Sequence, residues 1–180
     1  MKIETKVIHA GQHPDPQTGA VMTPVYQTST YAQKHPGVAE WEYSRTHNPT
    51  RTALQDGLAA AESGTHGICF ASGLAAVDTV IRTLNPGDSV VCGDDVYGGT
   101  YRLFTTVFAK YGIEFTFVDL SDPTIEIPAG TNLVWAETPT NPLLKTTDIA
   151  QLAAKAHAVG ALLAVDNTFA TALIQKPLDL

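Results

Sequence analysis

The sequence predicts an α/β fold: a mostly parallel sheet with helices on both faces. Two observations carry that expectation. Short apolar runs of strand length alternate with segments of helical period, as happens when helices cross between parallel strands. The runs are also apolar throughout rather than alternating, which suits strands buried on both sides.

Residues 1–48 stand apart from this pattern. "GQHPDPQTGAVMTPVYQTSTYAQKHPGVAEWEYSRTHNPTR" is rich in Pro, Gly, Thr and Tyr and keeps no sustained period. It reads as an extended arm with turns. An arm this long and aromatic needs a surface to pack on, its own body or another subunit. Residues 49–180 then form the domain proper.

The elements follow in order. Leu54, Leu58 and Ala61 recur at helical spacing, with Thr50 as the expected cap and Gly64 as the stop. "GICFAS" (67–72) has the length and apolarity of a buried strand. "GLAAVDTVIRTL" places Leu74, Val77 and Ile81 on one helical face, and "NPGD" is turn chemistry. "SVVCG" is the next strand. Residues 97–111 read as a helix with Leu103, Phe104, Val107 and Phe108 inward, closed by Gly112. "IEFTFVD" and "NLVWAE" are strands. "TTDIAQLAAKAHAVG" is a helix lined by Ile149, Leu152, Ala153 and Ala156, with Thr147 as cap and Gly160 as stop. "ALLAVD" is the last strand.

Composition excludes several functions. The chain has 180 residues, a formal net charge of −7 and 44% hydrophobic residues. An acidic chain argues against nucleic-acid binding, which needs a basic face. No run approaches the ~18 apolar residues of a membrane span. The opening "MKIETKVIHAGQ" lacks the apolar core of a signal peptide. The expectation is a soluble cytoplasmic protein. Cys69 and Cys92 sit in apolar runs without a C-x-x-C pattern, so buried free thiols are expected. There is no G-x-G-x-x-G, no phosphate-binding G-x-x-x-x-G-K-[ST] loop, and Ser72 is not in a G-x-S-x-G elbow. His9 and His13 are four apart, but Gly11 and Pro14 disfavour a helix there, so no metal site is expected.

In open parallel sheets, ligands bind at the carboxyl ends of the strands. Those ends are polar here. Ser72 and Gly73 open a helix, and with Leu74 they can offer free backbone N–H groups to an anion; a Ser-capped turn is the plainer alternative. Asp166 ends an apolar strand, where a carboxylate is costly unless paired. It either caps nearby N–H groups or holds a protonated ring nitrogen. Tyr97 precedes Gly98 and Gly99, which leave room for a flat ligand on its ring or simply for core packing. Arg45 and Arg51 flank "THNPT", and Arg suits bidentate phosphate binding.

"EYSRTHNPTR", "FASGLAA", "DDVYGGTYRLF", "ETPTNPLLK" and "AVDNTFAT" occur in this order. Together they closely resemble the Cys/Met-metabolism family of pyridoxal-phosphate enzymes, over essentially the whole chain. The resemblance implies the aspartate-aminotransferase-like (fold type I) large domain, incomplete at its C-terminus, with pyridoxal 5'-phosphate as cofactor. By position, Ser72, Gly73 and Leu74 would hold the phosphate, Tyr97 would stack on the ring and aid proton transfer, and Asn141 would sit near the ring hydroxyl. Asp166 would pair with the ring nitrogen, with Thr168 in the same wall. Tyr43 and Arg45 would reach a neighbouring subunit's cofactor phosphate, which would place the 1–48 arm at a subunit boundary. Arg102, with Arg45 and Tyr97, would contact substrate. The usual assembly is a homotetramer built as a dimer of dimers.

The resemblance also implies a Schiff-base lysine in an S-x-T-K segment beyond Asp166. None of Lys2, Lys6, Lys34, Lys110, Lys145, Lys155 and Lys176 has that context. The expectation is an N-terminal portion of a longer enzyme, inactive alone because it lacks the nucleophile. The wording looks most like cystathionine γ-lyase, which converts cystathionine to cysteine, 2-oxobutanoate and ammonia. Cystathionine γ-synthase or a related homoserine-ester sulfhydrylase is the alternative. Methionine γ-lyase fits less well, because it typically carries Cys where Gly99 stands. A non-catalytic cofactor-binding or assembly module is the reading from a different class.

Overall fold

A computed structural model describes residues 1–180. The chain forms two compact units, Met1–Cys69 and Phe70–Leu180.

The first unit holds two helices that pack on each other, α1 (Ile3–His9) and α2 (Pro49–Ala61). α1 falls inside the expected arm. Two turns of helix leave too short a period to read, and Gly11 and Pro14 follow at once. Thr50 is not the cap of α2. Asn48 is, accepting the Thr50 N–H at 2.9 Å, with Pro49 pre-setting the first helical position. The Thr50 hydroxyl turns to the arm instead, donating to the Pro24 carbonyl at 2.8 Å and accepting from the Tyr26 N–H at 2.9 Å. Ala59 and Ala61 are the buried positions of α2, while Leu54 and Leu58 stay about half exposed. They line an open groove of about 340 Å³ with Val7, Ala10 and Met22.

The 67–72 run is no strand. It joins no ladder, and Ile68 is 73% exposed. The Cys69 N–H goes to the Gln55 side chain at 3.1 Å. An apolar run becomes a strand only where another strand accepts its backbone groups, and no strand of this chain does. Both cysteines are free thiols, but only Cys92 is buried.

The second unit is a four-stranded, all-parallel sheet in the order β2-β1-β3-β4. The strands are β1 (Ser89–Gly93), β2 (Glu114–Val118), β3 (Thr131–Glu137) and β4 (Leu162–Asp166). Side chains alternate between two cores. Val90, Cys92, Leu133 and Trp135 meet Val77 and Ile81 of α3 (Gly73–Ile81), together with Phe104 and Phe108. Val91, Val134 and Ala136 meet Leu152 and Ala156 of α5 (Ile149–Ala158) on the other face. Helices therefore cover both faces, as the sequence predicts. Most of the central strands β1 and β3 is buried; β2 and β4 are edges, and Leu162 is exposed.

The expected 97–111 helix breaks into three pieces: α4 (Gly98–Arg102), a π-helical turn (Leu103–Val107) and a 3₁₀ turn (Phe108–Tyr111). Thr105 and Thr106 donate their hydroxyls to the carbonyls of Tyr101 and Arg102, at 2.8 and 2.5 Å. Such bonds compete with the helix ladder and widen it. Phe104 and Phe108 still face the core, whereas Leu103 and Val107 are only partly buried. Gly112 ends the segment in the left-handed region, at φ 80°. The cap of α5 is Asp148, accepting from the Gln151 N–H at 2.9 Å, not Thr147, whose N–H goes to the Thr138 hydroxyl. Two short helical turns, α6 (Thr171–Ile174) and Pro177–Asp179, follow β4. Lys176 between them is partly buried.

Phe104 is wholly buried, stacked on Phe115 with centroids 4.6 Å apart and edge-on to Trp135 at 5.7 Å. Phe104→Ala is expected to cost about 3–5 kcal/mol, read as a lower denaturant midpoint at unchanged slope.

Candidate functional site

Parallel pairing brings the carboxyl ends of β1, β3 and β4 to one edge. Glu137 and Asp166 close their strands in direct register. Asp94 and Asp95 follow β1, leading to Tyr97 at the start of α4. Three of the residues singled out from the sequence thus meet on this edge: Tyr97, Asn141 in the loop after β3, and Asp166. Thr168 joins them by a direct bond.

Asp166 is partly buried. Its Oδ1 accepts both the N–H and the hydroxyl of Thr168, at 3.1 and 2.5 Å. Thr168 therefore aims the carboxylate, a more indirect task than the wall position expected of it. Tyr97 is half exposed, and its ring lies against Gly99, where a Cβ would stand 2.3 Å from ring carbon Cε1. Gly99 is needed for this ring position.

At α3, the Ser72 hydroxyl oxygen caps the helix by accepting the Ala75 N–H at 3.1 Å. The N–H groups of Gly73 and Leu74 lie in the first turn, where no intrahelical acceptor exists. A Cβ at Gly73 would meet nothing within 4 Å, so an anion has room to approach. Leu74, expected on the buried face, is 38% exposed. Arg102 ends α4 and is exposed. Tyr43 and Arg45 belong to the first unit, where the Arg45 guanidinium lies over the Tyr43 ring at 4.9 Å.

Two buried carboxylates escaped the sequence reading as site residues. Glu137, 7% exposed, accepts the Tyr97 N–H on Oε2 at 2.8 Å. Burial pushes its pKa up; the Tyr97 and Asn141 N–H groups oppose this, and Asp166 and Asp95 add to it. Asp95, 9% exposed, accepts the Thr140 hydroxyl and the Leu143 N–H, the latter at 3.0 Å. It ties the loop carrying Asn141 to the end of β1. The available signal was the charge itself: both acids border apolar strands.

Lys145 finishes that loop. Its ammonium bonds Asp94 and Asp119, each at 2.9 Å, spanning the ends of β1 and β2. Ser121 and then Lys145 hold the Asp119 carboxyl down at about 2.

No helix is long and apolar enough to cross a membrane. No group of three or more His, Cys, Asp or Glu side chains could hold a metal ion.

Because its folded value is depressed, Asp119 adds stability that is fully present above its ordinary value of 3.8 and lost as pH falls through about 2. Asp119→Asn should therefore unfold more easily than the parent near neutral pH. The difference should close below about pH 2, as followed by pH-dependent denaturation.

Comparison with known proteins follows this geometry. The chain is 53% identical to cystathionine beta-lyase of Coxiella burnetii, covering 99% of this chain and 47% of that protein. It is 53% identical to a probable cystathionine gamma-synthase of Herpetosiphon aurantiacus, over 98% of this chain and 56% of that one. The crystal structure of cystathionine gamma-lyase from Lactobacillus plantarum superposes with a TM-score of 0.95 at 46% identity, covering 99% of this chain and 48% of that one. The chain thus spans about half the length of the relatives it matches. The family model for Cys/Met metabolism PLP-dependent enzymes matches residues 4–180, and the chain belongs to that family.

Proposed function

We propose that this chain forms the cofactor-binding part of a pyridoxal-phosphate transsulfuration enzyme most like cystathionine γ-lyase, releasing cysteine, 2-oxobutanoate and ammonia from cystathionine. The observation that carries the reading is the strand-end edge, with Tyr97, Asp166 and the loop carrying Asn141 held together by internal bonds. The residues fit the cofactor. The first-turn N–H groups of Gly73 and Leu74 suit a phosphate, and Ser72 sets the helix start that presents them. Asp166, aimed by Thr168, suits a protonated ring nitrogen. Asn141 lies on the loop beside them, for the ring hydroxyl.

Pyridoxal phosphate supplies an electron sink for the carbon next to the substrate's amino nitrogen. Asp166 would hold the proton on the ring nitrogen. The Tyr97 ring would shield the cofactor from water, and its phenol oxygen would be the proton carrier within the site. Arg102 and Arg45 contact the substrate. Tyr43 and Arg45 serve the phosphate in a neighbouring subunit's site, within a homotetramer arranged as a dimer of dimers. Exposed Val21, Met22 and Val25, with Leu54 and Leu58, support an arm that docks on another subunit. Small sulfur amino acids or homoserine esters are the substrates, in the cytoplasm.

The similarity to a β-lyase and a γ-synthase makes these the competing reactions. The intact purified protein should release 2-oxobutanoate from cystathionine. Pyruvate with homocysteine would replace this reading with β-cleavage, and net cystathionine synthesis from a homoserine ester with the synthase or sulfhydrylase class.

Gly99→Ala should displace the Tyr97 ring. It is expected to weaken pyridoxal-phosphate affinity roughly three- to tenfold, the worth of an aromatic stack, as measured by cofactor titration.

A further inference from the structure

Tyr97 is the entry residue of α4, and its own side chain makes no capping bond. Something else must fix the chain there. The Tyr97 N–H reaches 2.8 Å to Glu137 Oε2, forty residues away at the end of β3. The Asn141 N–H faces the same carboxylate. Glu137 is an awkward place for an acid. It is 7% exposed, lies in register with Asp166 and has Asp95 nearby. A buried carboxylate among two others costs folding free energy unless N–H donors hold it. Its Oε2 is spent on the backbone N–H of the aromatic residue of the site.

We propose that Glu137 is a positioning residue: its carboxylate anchors the Tyr97 backbone, so that the ring resting on Gly99 faces the cofactor in a fixed orientation. This rests on the cofactor reading of the preceding subsection. The anchor works through geometry, the reach of a glutamate side chain from β3 to α4, and charge is secondary to it. Glutamine keeps the reach and one acceptor oxygen. Aspartate keeps the charge but falls one methylene short.

The test uses the intact protein with Glu137→Ala, Glu137→Gln and Glu137→Asp, beside Asp166→Ala. In cofactor-free protein, amide exchange at Tyr97 should speed up about tenfold in the Ala and Asp variants and much less in Gln, as expected for a lost hydrogen bond. With pyridoxal phosphate added, affinity should fall about tenfold in Ala and Asp, and the visible circular dichroism of the bound cofactor should weaken. Gln should retain most of both signals. If Asp restores the parent behaviour and Gln does not, charge rather than position is at work and the proposal is overturned. Unchanged exchange at Tyr97 in Glu137→Ala also overturns it. Should Asp166→Ala lower cofactor affinity while Glu137→Ala leaves it intact, the positioning role alone falls. Parent affinity in Asp166→Ala removes the cofactor reading beneath it.

Discussion

β1 and β3 are covered on both faces, and this constraint organises the second unit. Strands buried between two cores, one built on Phe104 and one on Leu152, have no solvated face for polar groups. Parallel pairing then makes all strands end at the same edge, so the acids that interrupt the apolar runs collect there. Asp94, Asp95, Glu137 and Asp166 are neighbours because the sheet has no other place for them. Each carboxylate must find a donor, and each donor it finds fixes a loop. Part of the site geometry is thus a by-product of satisfying the buried charges of Asp95 and Glu137.

The same logic explains what the sequence could and could not convey. Strand runs such as "SVVCG" and "NLVWAE" were legible because burial on both faces leaves an unbroken apolar signature. The two helix caps were misplaced by one or two residues. Asn48 and Asp148 outcompete Thr50 and Thr147, and the choice turns on Pro49 and on bonds to Pro24 and Thr138 that lie far away in sequence. The break at Leu103–Val107 was hidden because its side chains keep a helical spacing while threonine hydroxyls pull the carbonyls out of line. The 67–72 run shows the opposite failure. Its apolarity was read correctly, but strand character belongs to a pair and cannot be read from one member.

Within the site, Asp166 and Tyr97 stood out by type and position. Glu137 ends an apolar run just as Asp166 does, but its role shows only in its burial and its bond to the Tyr97 N–H. The Thr168 hydroxyl bonds the Asp166 carboxylate, a contact that the motif alone does not convey. Motif resemblance found the family; the internal bonds show which residues hold which.

Lys145 carries a consequence of a different kind. One ammonium serves two carboxylates from different strand ends, so positions 94, 119 and 145 share a single interaction. A substitution at any one alters what the other two are worth, and their effects will not add. Divergence at these three positions is therefore expected to be concerted: a change that a relative tolerates at 94 is safe only in a background that has already adjusted 119 or 145.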